Sequence, residues 1–194
     1  MKIVIFGGSG FIGSHVADIL SAQNHQVVIF DLTTSAYLKP NQEMIIGDIL
    51  DPDAVKQITK GAHIVYHFAG IADIDAAKNL PYKTVQSNVM GTLNILEACR
   101  ENNVKRFIFA STIYVYSESG SFYRASKQAC ELLIECYHRQ YNLDFTILRY
   151  GSLYGPRADE SNWINRILKQ ALTEKKIVRK GPMVYSPSFF GIKQ

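Results

Sequence analysis

Two polar residues, Tyr123 and Lys127, lie four positions apart in the stretch "YRASK", at the head of a segment with helical periodicity. Residues at i and i+4 share one helix face, about 5–6 Å apart at Cβ. A phenol titrates near pH 10, so it is a weak base at neutral pH unless a nearby cation stabilises the phenolate. The lysine can supply that cation, which makes the pair a candidate for proton transfer. Taken alone, the same spacing is also common on helices without a catalytic role.

A glycine-rich stretch, "FGGSGFIGSH", places Gly7, Gly10 and Gly13 directly after an apolar run and at the start of a helical pattern. Glycine lets a backbone turn tightly and approach a pyrophosphate, whose charge is met by free N–H groups at the helix N-terminus. The order strand, loop and helix is the one that dinucleotide binding requires. We therefore predict a dinucleotide site here that also includes Phe11 and Ile12.

Two acidic residues follow later apolar runs. Asp31 ends the second run, eighteen residues after Gly13, where a carboxylate can accept hydrogen bonds from adenosine ribose hydroxyls. No arginine follows to receive a 2′-phosphate, so the pattern favours NAD over NADP. Asp48 follows the third run and is either an adenine contact or a simple strand terminator. We include Leu32 and Ile49, their neighbours, among the expected cofactor contacts.

The elements that must position these residues alternate along the chain. Short runs such as "KIVIF", "QVVIF", "EMIIG" and "RFIFAS" lack strict apolar/polar alternation, which is typical of strands buried on both faces of a parallel sheet. The βαβ rhythm predicts a doubly wound, Rossmann-like α/β sheet of at least six strands. Helices are predicted over residues 11–23, 51–60 and 81–102 and after Phe122.

Composition narrows the class of protein. The chain has 194 residues, 47% of them hydrophobic and 20% charged, which is the profile of a globular chain. Its net charge of +4 is not gathered into a basic stripe, so we expect no nucleic-acid partner. No apolar run approaches the roughly 20 residues of a membrane span, so we expect no membrane partner. Three cysteines without metal-ligand spacing favour no metal site and a reduced, cytoplasmic chain, with Cys130 and Cys136 as small buried residues.

Taken together, the motifs resemble those of the extended short-chain dehydrogenase/reductase family, specifically its NAD-dependent nucleotide-sugar epimerases and dehydratases. The resemblance covers about residues 1 to 157. It is carried, in family order, by "GGSGFIGSH", "HFAG" at residue 67, "SNVMGTLNILEA" at 87, "FASTIYVY" at 109, "YRASK" at 123 and "LRYGSLYGP" at 148.

The resemblance implies roles for three catalytic residues. Tyr123 would take the proton from a sugar hydroxyl as hydride passes to NAD, and Thr112 would hydrogen-bond the reacting oxygen. Lys127 would lower the pKa of the tyrosine and hold the nicotinamide ribose. The expected substrate is a nucleotide sugar.

The resemblance also implies further contacts with the cofactor. Besides Tyr123 and Lys127, the residues expected beside it are Phe68, Ala69, Gly70 and Ser87. His67 is expected to be a packed strand residue rather than a catalyst, and Asn88 to stabilise the local backbone.

The residues after Thr112 distinguish between reactions. Relatives that eliminate water carry an Asp-Glu pair there and decarboxylases carry a Glu, whereas this chain has Ile113 and Tyr114. Elimination is therefore disfavoured, and epimerisation or simple oxidoreduction is expected. Ser152 replaces the asparagine with which the family faces the substrate phosphate, and the loop before Tyr123 is short.

The C-terminal part is expected to differ from the family. Residues 1–160 would form the NAD-binding Rossmann-like domain and residues 161–194 the remnant of a truncated substrate-binding region, with the basic cluster at 169–180 forming a helix and its exit. The helices from Pro81 and from Phe122 carry apolar residues on more than one face, which favours a homodimer through two helices. The alternative function is a catalytically impaired NAD-binding or dimerising protein.

Overall fold

The structure, a computed structural model, describes residues 1–159 and 162–175. Its contacts divide the chain into two units, Met1–Arg157 and Ala158–Gln194. In the second unit, helix α7 (Trp163–Glu174) begins after Asn162, whose side chain accepts hydrogen bonds from the N–H groups of Ile164 and Asn165. The predicted basic cluster at 169–180 thus begins within α7, and its residues 176–180 lie outside the described residues.

The first unit is built on a parallel sheet, which confirms the predicted fold class. Within the described residues the sheet has six strands in the order β3-β2-β1-β4-β5-β6. The strands are β1 (Lys2–Phe6), β2 (Gln26–Asp31), β3 (Gln42–Ile46), β4 (Ile64–His67), β5 (Arg106–Thr112) and β6 (Asp144–Tyr150). Val4 is in register with Val28 on one side and Val65 on the other.

Helices connect the strands and cover both faces of the sheet. They are α1 (Phe11–Ala22), α2 (Pro52–Thr59), α3 (Ile74–Asn79), α4 (Pro81–Val85), α5 (Gly91–Glu101) and α6 (Ser121–Tyr141). A π turn (Gln86–Met90) joins α4 to α5, and a 3₁₀ turn (Ile113–Tyr116) follows β5. Asp51 caps α2 by accepting from the N–H groups of Asp53 and Ala54, as expected of Asp before Pro at a helix start.

Burial on both faces explains the unbroken apolar runs. On β1, Val4 and Phe6 belong to a large core shared with α5 and α6, while Ile3 and Ile5 pack with Ala17 of α1 on the opposite face. Successive side chains of a strand point to opposite faces, so a strand covered on both sides needs apolar residues at every position. The sheet is therefore fixed by packing on both of its faces.

Two sequence-based expectations need correction. The predicted helix over residues 81–102 contains the π turn, which widens the helix by one residue and so rotates the residues on either side of it. Cys130 is buried as expected, but Cys136 is exposed. Six residues rotate about 240° around a helix, so these two cysteines cannot share one narrow face.

None of the described helices combines the length and the apolar character that a membrane crossing requires.

Candidate functional site

The candidate site lies where the strand order reverses direction. From β1 the chain proceeds to β2 on one side, whereas β4 lies on the other side, and such a switch point opens a crevice at the carboxyl ends of the strands. Gly7 N–H donates to Phe30 O (2.9 Å), and Phe68 and Ala69 both donate to Phe6 O (2.8 and 3.1 Å). The glycine loop and the segment after β4 are therefore bonded side by side at this crevice.

Two of the glycines are required by close backbone contacts. Gly7 has φ +80°, and a Cβ placed on it would lie 2.4 Å from the amide nitrogen of Ala69. A Cβ on Gly13 would lie 2.2 Å from Gly7 O. Real Cβ atoms do not approach backbone this closely, so helix α1 can sit against the loop only with glycine at position 13.

The start of helix α1 offers backbone donors. Gly10 is the N-cap residue, and no side chain caps this helix end. The first N–H groups of a helix have no partner within it, and here they belong to Phe11, Ile12 and Gly13. These groups and the helix dipole together favour an anion.

Asp31 ties the glycine loop to the end of β2. Its Oδ2 accepts the N–H of Ser9 (2.9 Å) and its Oδ1 accepts the N–H of Leu32 (2.8 Å). Ser9 Oγ in turn donates to Thr33 O (2.7 Å). A carboxylate has about four acceptor positions, so Asp31 can accept further hydrogen bonds while holding the loop. Asp48 Oδ1 accepts the N–H of Leu50 (2.9 Å), which makes this carboxylate part of a local turn.

These segments enclose a cleft of about 580 Å³. Ten of the fifteen expected cofactor residues line it: Gly7, Gly10, Asp31, Leu32, Asp48, Ile49, Phe68, Ala69, Gly70 and Ser87. The other five do not line it: Phe11, Ile12 and Gly13 form the first turn of α1, and Tyr123 and Lys127 lie on α6.

Six residues that sequence reasoning missed also line the cleft. They are Ser9, Thr33, Ile71, Ala76, Leu80 and Lys83. Ser9 lies inside the glycine motif and could have been read from it. Lys83 gives the cleft a cation, and its signal is weak because it is one exposed lysine on a short helix.

A second group of side chains lies beyond the carboxyl end of β5, the strand next to β4. Thr112 is buried, and its Oγ accepts the N–H of Tyr114 (3.2 Å) at the start of the 3₁₀ turn. Burial raises the pKa of Tyr123, and a hydrogen bond with Thr112 partly opposes that increase. The hydroxyl groups of Thr112 and Tyr123 thus lie within hydrogen-bonding reach of each other.

Lys127 is buried beneath this tyrosine, with 6% of its surface exposed. Its Nζ donates to Ala110 O (2.8 Å) and lies 5.9 Å from the Tyr123 ring centroid and 4.5 Å from that of Phe109. Burial lowers the pKa of this lysine to about 8. Burial makes the net shift of the Tyr123 pKa upward, with the Thr112 hydrogen bond as the opposing influence.

The sequence of this chain matches a known protein family. Residues 3–185 match the NAD dependent epimerase/dehydratase family. The chain belongs to this family. This membership confirms the resemblance found in the sequence, and the cofactor named by the family is the NAD expected from Asp31.

Relatives of this family member carry out different reactions. A UDP-glucuronate 4-epimerase of Thermodesulfobacterium geofontis is 32% identical over 90% of this chain and 62% of its own length. A dTDP-D-glucose 4,6-dehydratase of Dictyostelium discoideum is 29% identical over 93% of this chain and 50% of its own. Similarity in sequence therefore does not choose between epimerisation and elimination.

A solved structure shares the fold. The UDP-glucose 4-epimerase of Thermus thermophilus in complex with NAD superposes with a TM-score of 0.82 and 31% identity, over 90% of this chain and 63% of that chain. This chain thus spans about half to two thirds of the length of these relatives.

The burial of Lys127 should lower the free energy of unfolding at neutral pH. A pKa of about 8 against 10.5 for a free lysine corresponds to about 3 kcal/mol of destabilisation at neutral pH. Lys127→Met removes that cost but loses the bond to Ala110, so we expect the free energy of unfolding to rise by about 1 kcal/mol at pH 7. Between pH 8 and 10.5 the unfolded lysine holds a proton that the folded one has released, so the native protein gains stability as pH rises and the advantage of the variant shrinks.

Urea unfolding of both proteins at several pH values measures this difference. The exposed Lys105→Met variant is the control and should show no such pH-dependent difference. A Lys127→Met protein that is less stable than the native protein at pH 7 would contradict the buried, costly cation.

Proposed function

We propose that this chain is an NAD-dependent epimerase, or an oxidoreductase of the same family, that acts on a nucleotide sugar. The observation that carries the proposal is the group of Thr112, Tyr123 and Lys127, which lies one strand away from a dinucleotide-type cleft. Hydrogen-bonding hydroxyls next to a buried cation suit reversible proton transfer at a sugar hydroxyl.

The residues of the cleft fit NAD. The uncapped start of α1 and the cation of Lys83 suit the pyrophosphate, and the close packing of Gly7 and Gly13 keeps side chains away from it. Asp31 retains acceptor positions for ribose hydroxyls. NAD, when bound, supplies the acceptor and later the donor of a hydride.

The roles of the chain's own residues follow from their surroundings. Tyr123 would accept the proton of the sugar hydroxyl, and Thr112 would hydrogen-bond the same oxygen and orient it. A buried phenol loses its proton with difficulty, so the positive charge of Lys127 is needed to stabilise the phenolate. Lys127 Nζ uses one of its donors on Ala110 O and keeps two for the site.

We propose epimerisation over elimination because this chain has no carboxylate at the two positions after Thr112, where relatives that eliminate water carry an Asp-Glu pair. The two residues after Thr112 are Ile113, which is exposed, and Tyr114. Neither can act as the acid or base that removes water. Epimerisation would require no additional carboxylate from the chain, which supports the proposal of an epimerase.

We further propose that the chain is cytoplasmic. We also propose that it forms a homodimer through the α4–α5 segment and α6. Support comes from exposed apolar side chains on both elements, among them Tyr82, Val85 and Met90 on the first and Leu132 on the second. Sedimentation at micromolar concentration should then give twice the mass of one chain. A strict monomer would contradict this part of the proposal.

The proposal is tested by assaying UDP-glucose and UDP-glucuronate with NAD and following the C4 epimer by NMR. Tyr123→Phe removes the proton acceptor, so turnover should fall by about 10² to 10⁴ while the NAD dissociation constant changes far less. Tyr141→Phe, an exposed position on the same helix, is the matched control and should keep its turnover. A chain that binds NAD but converts neither sugar would contradict the epimerase and favour a non-catalytic NAD-binding protein.

A further inference from the structure

Four buried polar residues form a continuous chain of hydrogen bonds between the end of β4 and helix α6. They are His67, Thr92, Asn88 and Ser126, with exposed fractions of 1%, 0%, 2% and 2%. None of them lines the cleft or belongs to the group of Thr112, Tyr123 and Lys127. The proposed chemistry therefore leaves this network without a role.

The network begins at the imidazole of His67. Its Nε2 lies 2.9 Å from Thr92 Oγ1, and the hydroxyl of Thr92 donates its hydrogen to Asn88 O (2.6 Å). A hydroxyl has one hydrogen, so Thr92 must accept from His67, and the imidazole carries its proton on Nε2. Burial and the nearby charge of Lys127 lower the pKa of His67 well below its usual range, so the ring is neutral at physiological pH.

The hydrogen bond from Thr92 to Asn88 supports the π turn. Asn88 lies within it, and its carbonyl receives the Thr92 hydroxyl and also the thiol of Cys130 (3.2 Å). The N–H of Gly91 also bonds to this carbonyl, so the Thr92 hydroxyl and the Cys130 thiol add side-chain donors to the backbone bonding of the π turn. His67 thus orients the hydroxyl that supports this turn.

The side-chain amide of Asn88 links the cleft to the helix that carries Tyr123. Asn88 Oδ1 accepts the N–H of Ile71 (2.7 Å), and Asn88 Nδ2 donates to Ile71 O (3.0 Å) and to Ser126 Oγ (3.0 Å). Ser126 Oγ donates to the carbonyl of Tyr123 (2.8 Å). Ile71 lines the cleft, so one amide group links the cleft wall to the turn of α6 that carries the tyrosine. A Cβ on Gly70 would lie 2.7 Å from Asn88 Oδ1, so glycine is needed for this contact.

We infer that His67 is a positioning residue that, through Thr92, holds the backbone of Asn88 in place, and so places the Asn88 side-chain amide that sets the cleft segment 68–73 against the start of α6. It does not touch the reacting atoms. Its effect passes through two hydrogen bonds to Asn88. A third bond then reaches Ile71, and two further bonds, through Ser126, reach Tyr123.

Simple packing does not account for a histidine at this place. Three phenylalanine rings surround the imidazole, at centroid distances of 6.4 Å (Phe6), 6.1 Å (Phe107) and 5.6 Å (Phe109), so its environment suits an apolar ring. Its Nδ1 is buried without a hydrogen-bond partner among the described residues. An unpaired buried acceptor is costly, and the donor function of Nε2 gives a reason for keeping it.

The test is residue-resolved amide hydrogen exchange, measured by NMR on the full chain without cofactor. Thr92→Val removes the hydroxyl at nearly constant volume, and Thr92→Ser keeps it. His67→Leu removes the donor, and His67→Gln restores an N–H donor at similar reach. The Ile71 amide reports the Asn88 bond, and the amide of Val28, in the centre of the sheet, reports global opening.

We expect Thr92→Val and His67→Leu to speed exchange at Ile71 by about tenfold or more relative to Val28, and the Ser and Gln variants to remain near the native ratio. Equal changes at Ile71 and Val28 in all variants would overturn the inference, because they indicate a role in overall stability alone. Loss of Ile71 protection in Thr92→Val but not in His67→Leu would also overturn it. If His67→Leu does not fold, the comparison of His67→Gln with Thr92→Val and Thr92→Ser decides.

A second measurement connects the network to the cofactor, and this part rests on the proposed function. The same two disruptive variants should weaken NAD binding in calorimetry by about threefold to tenfold, with recovery in the Ser and Gln variants. Native affinity in all variants would overturn the link to the cleft. A native chain that binds no NAD would contradict the proposed function, whereas the exchange result would stand by itself.

Discussion

The contact between the glycine loop and the chain after β4 is the constraint on which the rest of the site depends. Gly7 and Ala69 approach so closely that a single methyl group at position 7 would collide with backbone. Because Phe68 and Ala69 both bond to Phe6 O, the loop and the cleft wall cannot move apart without breaking the edge of two neighbouring strands. The sheet thereby sets the width of the cleft, and Gly13 sets the distance of helix α1 from it.

A second constraint is electrostatic. The tyrosine that would transfer a proton is partly desolvated, and burial alone makes its phenolate harder to form. The lysine beneath it is buried at a cost to its own charge. Catalytic groups are commonly held in such unfavourable states, because the stabilisation is needed only when charge develops during the reaction. The core around Phe109 and Ala110 supplies the rigidity that keeps the cation in place.

The fold and the glycine loop were predictable from the sequence because they depend on local signals. Buried parallel strands require unbroken apolar runs, and Gly13 is required by a contact with Gly7, only six residues before it. The π turn and the depth of Lys127 depend on how distant elements pack, so no local pattern predicts them, whereas the separation of Cys130 and Cys136 around α6 follows from helix geometry alone. Lys83 was missed for a related reason, since a single lysine on a helix is usually a surface residue.

The hydrogen-bond network from His67 to Ser126 could not be predicted from the sequence either. Asn88 was expected to support the local backbone, and it does bond to Ile71, but its link to α6 through Ser126 joins residues 38 positions apart. Such a link is set by the tertiary structure, and the sequence contains only its isolated members.

We propose that the cleft at the switch point holds NAD with Asp31 facing the adenosine ribose. Isothermal titration of the full chain with NAD and with NADP tests it most directly. Asp31 and the absence of a nearby arginine predict that NAD binds and that NADP binds at least about tenfold more weakly, since its 2′-phosphate meets a carboxylate. Equal affinity for the two cofactors, or no binding of NAD, would contradict this account.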